Sequence, residues 1–124
     1  MKKSLLLFFA VFALSAVIIS SCKKDKKVDP TPDCVTENMS FATDITPIMT
    51  KNCNVSGCHD NVTVAAGIRL DTFPGVSANA DLIISSINHV DGAKPMPFPA
   101  GTDKLSDCDI SKFEAWVSQG KKNN

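Results

Sequence analysis

Excess basic charge is the first thing this sequence lacks. Its 13 Lys and Arg are matched by 13 Asp and Glu. From Cys34 onward, seven basic residues face ten acidic ones, a net charge of −3. A body of that charge with no basic stripe is not built to track a phosphate backbone, so nucleic acid is excluded as a partner. A long apolar run is missing too. The longest apolar and small-residue stretch runs from Leu5 to Ile19, shorter than the roughly 20 residues a spanning helix needs. There is no Ser-His-Asp set, no phosphate-cradling glycine loop, and no pair of acids spaced for hydrolysis. The chain is therefore not expected to be an enzyme.

The short apolar run reads as an export signal. Lys2 and Lys3 form its positive start, and Ile19-Ser20-Ser21-Cys22 follows its end. That tetrad resembles a bacterial lipobox, in which the cysteine becomes the lipidated first residue after cleavage. Residues 1–21 are thus expected to be a lipoprotein signal peptide, with Cys22 the lipid carrier. Several acyl chains, each contributing about 0.8 kcal/mol per buried CH₂, would hold the protein stably on a membrane. Residues 22–33 carry seven charges and two prolines around one valine. They cannot bury enough apolar surface to order themselves, which makes them a tether. One folded body is then expected over 34–124, exported and anchored at the periplasmic or outer-membrane face.

An oxidising compartment asks a use for each of the five cysteines. Cys53 and Cys58 lie in Cys53-Asn54-Val55-Ser56-Gly57-Cys58-His59. A Cys-His pair with a second cysteine shortly upstream is the pattern of covalent haem attachment. Two thiols add across the two vinyl groups of the porphyrin, and the adjacent imidazole reaches the iron. Four residues separate the cysteines here instead of two. At about 100° per residue, positions five apart on a helix lie about 140° apart, so the thiols cannot share a helical face. The intervening segment must bulge, and Gly57 suits the return. Two other uses of these residues remain open. One is a Cys53–Cys58 disulfide. The other is a structural zinc site of Cys53, Cys58 and His59 with Cys34 or His89.

Met96 stands in Lys94-Pro95-Met96-Pro97-Phe98-Pro99. Three prolines in five residues remove donors and stiffen the backbone, so this is neither helix nor strand. A methionine displayed on such a loop suits a thioether ligand to iron, and His with Met is the ligand set of electron-transfer cytochromes c. Were Met96 not to bind, an open iron position would suit a haem-based sensor or enzyme instead. His89, near a helix end, is a competing axial ligand, a propionate partner, or a surface residue.

The helices follow from periodicity. One is expected to start near Asp44 or Thr46, with Pro47 in its first turn and Ile45, Ile48 and Met49 facing inward. An extended or turn region is expected over 67–75. A second helix is expected from Ala80 to Asn88 with Leu82, Ile83, Ile84 and Ile87 apolar. The last helix has Ser106 as N-cap, Ile110, Phe113, Trp116 and Val117 at helical spacing, and Gly120 at its end.

Taken together, the segments 41–49, Cys53 to His59, 67–70, Ile87-Asn88-His89, Met96-Pro97 and 105–120 resemble the small c-type cytochrome domains of Bacteroidetes-type lipoproteins, which are related to the planctomycete-type cytochrome c domain. The resemblance implies an all-α, cytochrome c-like domain around one covalent haem c. It implies attachment at Cys53 and Cys58, with His59 and Met96 as axial ligands to iron. It also implies one-electron exchange with redox protein partners, by a monomer. In that fold the terminal helices pack together, which would bring Cys34 and Cys108 close enough for a disulfide.

Overall fold

The computed structural model describes residues 34–97 and 103–124. The expected signal peptide, Cys22 and the tether lie outside them. Among the described residues every regular element is helical and there is no strand, so the all-α expectation holds at that level. No helix there is long and apolar enough to cross a membrane.

The first helix opens with a wide π-helical segment, Phe41–Ile45, that runs straight into α1, Thr46–Asn52. Ser40 caps it, its backbone N–H donating to the Asp44 carboxylate at 2.9 Å. The Ile45 N–H reaches back five residues to the Ser40 carbonyl, and the Thr46 N–H does the same to Phe41. Pro47 then sits in the first turn of α1, where a missing N–H costs nothing. Ile45, Ile48 and Met49 are all buried, as their spacing predicts.

The helix α2, Phe73–Ala78, occupies part of the stretch expected to be extended. Thr72 supplies its cap, the hydroxyl accepting from the Gly75 N–H, with Pro74 in the first turn. Gly75 has a steric reason to be glycine, because a Cβ there would lie 2.1 Å from the Arg69 carbonyl oxygen. The helix α3, Ala80–Ile87, matches the expected element, with Asn88 as its C-cap. Its inward face is narrower than expected. Ile83 and Ile87 are buried, whereas Leu82 is 48% exposed, since it lies about 100° around the helix from Ile83.

The last helix, α4, spans Asp107–Ser118 with Ser106 as N-cap, the serine hydroxyl accepting from the Asp109 N–H at 3.1 Å. Ile110, Phe113 and Trp116 are buried, the last two completely. Phe41, Phe73 and Phe113 each hold a ring centroid within 6.2 Å of Trp116. These four rings tie the opening segment, α2 and α4 into one aromatic core. The indole N–H is satisfied by the Lys122 carbonyl at 2.9 Å.

Long-range hydrogen bonds fasten the two ends of the body together. Gln119 bonds both Met39 and Thr36 at 2.8 Å. Cys34 and Cys108 form a disulfide with Cα atoms 5.6 Å apart, inside the usual range. The pairing implied by the packing of the terminal segments is therefore present.

Candidate functional site

The segment after α1 abandons helical geometry where the cysteine spacing requires it. Cys53 is the C-cap of α1. The chain then turns through Asn54 to Gly57, closed by the Cys58 N–H donating to the Val55 carbonyl at 3.0 Å. Gly57 takes φ +86°, a left-handed conformation that glycine adopts without steric cost. The His59 N–H returns to the Cys53 carbonyl at 3.1 Å. The bulge thus brings both cysteines and the histidine to the wall of one cavity.

His59 is held on three sides. Its N–H is on Cys53, its carbonyl accepts from the Leu70 N–H at 2.9 Å, and its Nδ1 lies 2.9 Å from the Ile68 carbonyl oxygen. A carbonyl can only accept, so Nδ1 carries the proton. In the neutral ring the lone pair is then on Nε2, the arrangement of a metal-binding imidazole whose other nitrogen is fixed by a backbone carbonyl. The ring is 92% shielded from solvent.

Asp60, absent from the expected site, organises the loop from outside. Its carboxylate accepts from the backbone N–H groups of Gly57, Val62 and Thr63. Those bonds, with Thr63 and Val62 foremost, hold its pKa below the ordinary carboxylate range. An Asp bonding amides two and three residues on is a turn signal readable in Asp60-Asn61-Val62-Thr63. Farther along, Val64 and Ala66 take positive φ of 45° and 54°, costly for a β-branched residue and tolerated where surrounding structure enforces them.

The cavity measures about 450 Å³, within the roughly 300–1,000 Å³ of small-molecule and cofactor sites. Cys53, Cys58, His59, Ala65, Ala66 and Leu70 line it from the loop, Ile83, Ser86 and Ile87 from α3, and Leu105 from the approach to α4. Met96 and Pro97 complete the lining, with Lys51 and Lys94 also contributing. All four residues expected to hold a haem therefore face the same largely apolar space. Met96 lies outside any helix, as its proline bracket predicts, while Phe98 and Pro99 fall outside the described residues. His89 is not part of the lining. Its Nε2 lies 3.0 Å from the Met96 carbonyl oxygen.

The alternative uses of the cysteines fare differently. Cys53 and Cys58 are free thiols. Cys34 is committed to Cys108 and His89 is not among the residues that line the cavity, so neither candidate fourth ligand of a zinc site stands with Cys53, Cys58 and His59. Among the described residues no three His, Cys, Asp or Glu side chains are grouped to hold a metal ion. A porphyrin brings four nitrogen donors of its own, and so asks only two ligands of the protein.

The two free thiols differ in reactivity. Cys53 is buried and Cys58 half-buried. Burial, and secondly the neighbouring Cys58, pushes the Cys53 thiol from its ordinary value near 9 up to about 11. The thiolate is the nucleophile, so at pH 8 roughly one Cys53 in a thousand is reactive. In the haem-free protein, iodoacetamide at pH 8 is expected to alkylate Cys58 well before Cys53, read by peptide mass spectrometry. Equal rates would contradict the burial of Cys53. The raised pKa also means that folding favours the neutral thiol. Its contribution to stability is complete below pH 9 and is lost as pH rises from 9 through about 11.

Comparison with protein families, curated proteins and solved structures finds no match to this chain.

Proposed function

We propose that the protein is a mono-haem c-type electron carrier, anchored to a membrane through a lipid on Cys22. The observation that carries this reading is the convergence of Cys53, Cys58, His59 and Met96 on one cavity, although they come from two loops separated by α2 and α3. The donor set fits the group. Cys53 and Cys58 would attach the two vinyl groups, His59 and Met96 would hold the iron, and the apolar wall would take the ring. Lys51, which also lines the cavity, would supply positive charge for the propionates. When bound, haem supplies a reversible one-electron iron couple.

The chain's own residues do the rest. The hydrogen bond from Nδ1 to Ile68 fixes the ring orientation and tautomer of His59 and raises its basicity as a ligand. The thioether of Met96, as a ligand, would favour the ferrous state and raise the potential. Leu70, Ile83, Ile87 and Leu105 keep water from the site and lower the local dielectric. Were His59 and Met96 both to hold the iron, the protein would suit a carrier serving redox protein partners. The lipid and tether would keep this domain at the membrane surface where such partners are met.

Expression with a c-type maturation system tests the reading. The reduced protein is expected to show a sharp c-type α band and to cycle reversibly with one electron per chain. A matured, folded protein whose iron binds carbon monoxide as readily as a five-coordinate haem would instead favour the sensor reading.

A further inference from the structure

His89 sits one residue beyond the C-cap of α3 with φ +55°, left-handed backbone that is uncommon outside glycine. Its N–H donates to the Ser86 carbonyl at 3.2 Å, and the Val90 N–H donates to Ser85 at 3.0 Å. The turn therefore closes the end of α3 and projects the imidazole away from the helix. The Met96 N–H also donates to the Ser86 carbonyl, at 3.0 Å. The Met96 carbonyl faces Nε2 of His89 at 3.0 Å. Since that carbonyl can only accept, Nε2 is the protonated nitrogen.

Both backbone polar groups of Met96 are thus pinned to the end of α3. The flanking residues make this important. Pro95 and Pro97 have no N–H to donate, so Met96 holds the only amide donor in the Pro-Met-Pro triplet. Fixing its N–H and its carbonyl fixes the peptide planes on either side of Cα, and with them the direction of the side chain. That side chain lines the cavity, and the His89 ring does not.

We propose that His89 is a positioning residue for Met96, clamping its carbonyl so that the thioether is held toward the cavity without His89 itself binding iron. In part this rests on the haem reading, because the benefit of the clamp is steadier Met–iron ligation. The hydrogen-bond clamp itself does not depend on haem.

Two substitutions separate the roles. His89→Phe keeps a ring and removes the donor, whereas His89→Gln keeps an N–H donor. In haem-free protein, hydrogen exchange at the Met96 amide is expected to quicken about two- to tenfold in His89→Phe, the weight of one neutral hydrogen bond. His89→Gln is expected to recover much of the protection. In matured protein, His89→Phe is expected to keep one haem per chain while the ferric Met–iron charge-transfer band weakens and the potential falls, with His89→Gln intermediate. The unaltered protein gives an independent check, since ring ¹⁵N shifts are expected to show His89 protonated at Nε2. An Nδ1–H tautomer, or unchanged exchange and an unchanged charge-transfer band in His89→Phe, would overturn the proposal. Absence of haem from the wild-type protein would remove the haem reading and leave the exchange and tautomer measurements as the test of the clamp.

Discussion

Replacing Met96 by Ala is expected to lower the reduction potential by roughly one to three hundred millivolts, a part of the roughly 0.8 V range that axial ligands set. The thioether is a soft donor that stabilises ferrous iron. Its loss leaves water or an empty position in its place, and the ferric state gains. The same variant is expected to bind carbon monoxide rapidly in the ferrous form, where the parent protein binds it slowly or not at all. The haem itself is expected to stay attached, because Cys53, Cys58 and His59 belong to a separate loop held by its own bonds to Ile68, Leu70 and Asp60. A potential and a carbon monoxide response equal to the parent's would remove Met96 from the ligand set. Voltammetry and ferrous spectra under carbon monoxide provide the readouts.

Loss of the Cys34–Cys108 disulfide is expected to have the largest effect on stability. The bridge closes 74 residues of separation, which spans nearly the whole described body. On the chain-entropy account, closing a loop of that length restricts the unfolded state by about 4 kcal/mol. A domain of this size shifts its melting temperature by roughly 4–8 °C per kcal/mol, so the double variant Cys34→Ser, Cys108→Ser is expected to melt at least 15 °C lower. The remaining links between the ends are the Gln119 bonds to Met39 and Thr36 and the aromatic core, so the variant is expected to fold at low temperature. Calorimetry of oxidised and doubly substituted protein decides this. A shift of only a few degrees would mean that the unfolded chain gains little freedom when the bridge is removed.

The parts of the fold that were legible in the sequence are those set by neighbours in the chain. Ile45, Ile48 and Met49 share a helical face by spacing alone. The Ser106 cap and the apolar series Ile110, Phe113, Trp116 mark α4 without any partner. The impossibility of a single helical face for Cys53 and Cys58 follows from five residues of separation, and the turn at Gly57 is what resolves it.

What escaped the sequence depends on contacts made at a distance. The π-helical opening Phe41–Ile45 gains from the packing of Phe41 against Trp116 and Phe73. Its Ala42 N–H is satisfied by the carbonyl of Asn124 at 2.9 Å, and no local pattern announces that. The helix α2 begins where Pro74 and Gly75 suggest a loop, because the Thr72 cap and the close approach to the Arg69 carbonyl were not weighed together. Leu82 was grouped with its apolar neighbours by composition although its angular position carries it to solvent. For His89 the sequence leaves three roles open, an axial ligand, a propionate partner or a surface residue at a helix end. Its bond to the Met96 carbonyl joins residues seven apart in sequence. Asp60 and Thr72 both carry a local signature, the acid standing two and three residues before amides it holds and the threonine capping a helix with Pro74 in its first turn.

The central claim, covalent attachment of one haem through the stretched cysteine pair, meets its most direct test in the intact mass of the protein matured by an exporting host and then denatured. The expected mass exceeds that of the processed polypeptide by one haem. Cys53→Ala and Cys58→Ala each are expected to leave single attachment, and the double variant none. A denatured wild-type chain with no haem mass, from a host that matures other c-type cytochromes, would contradict the account.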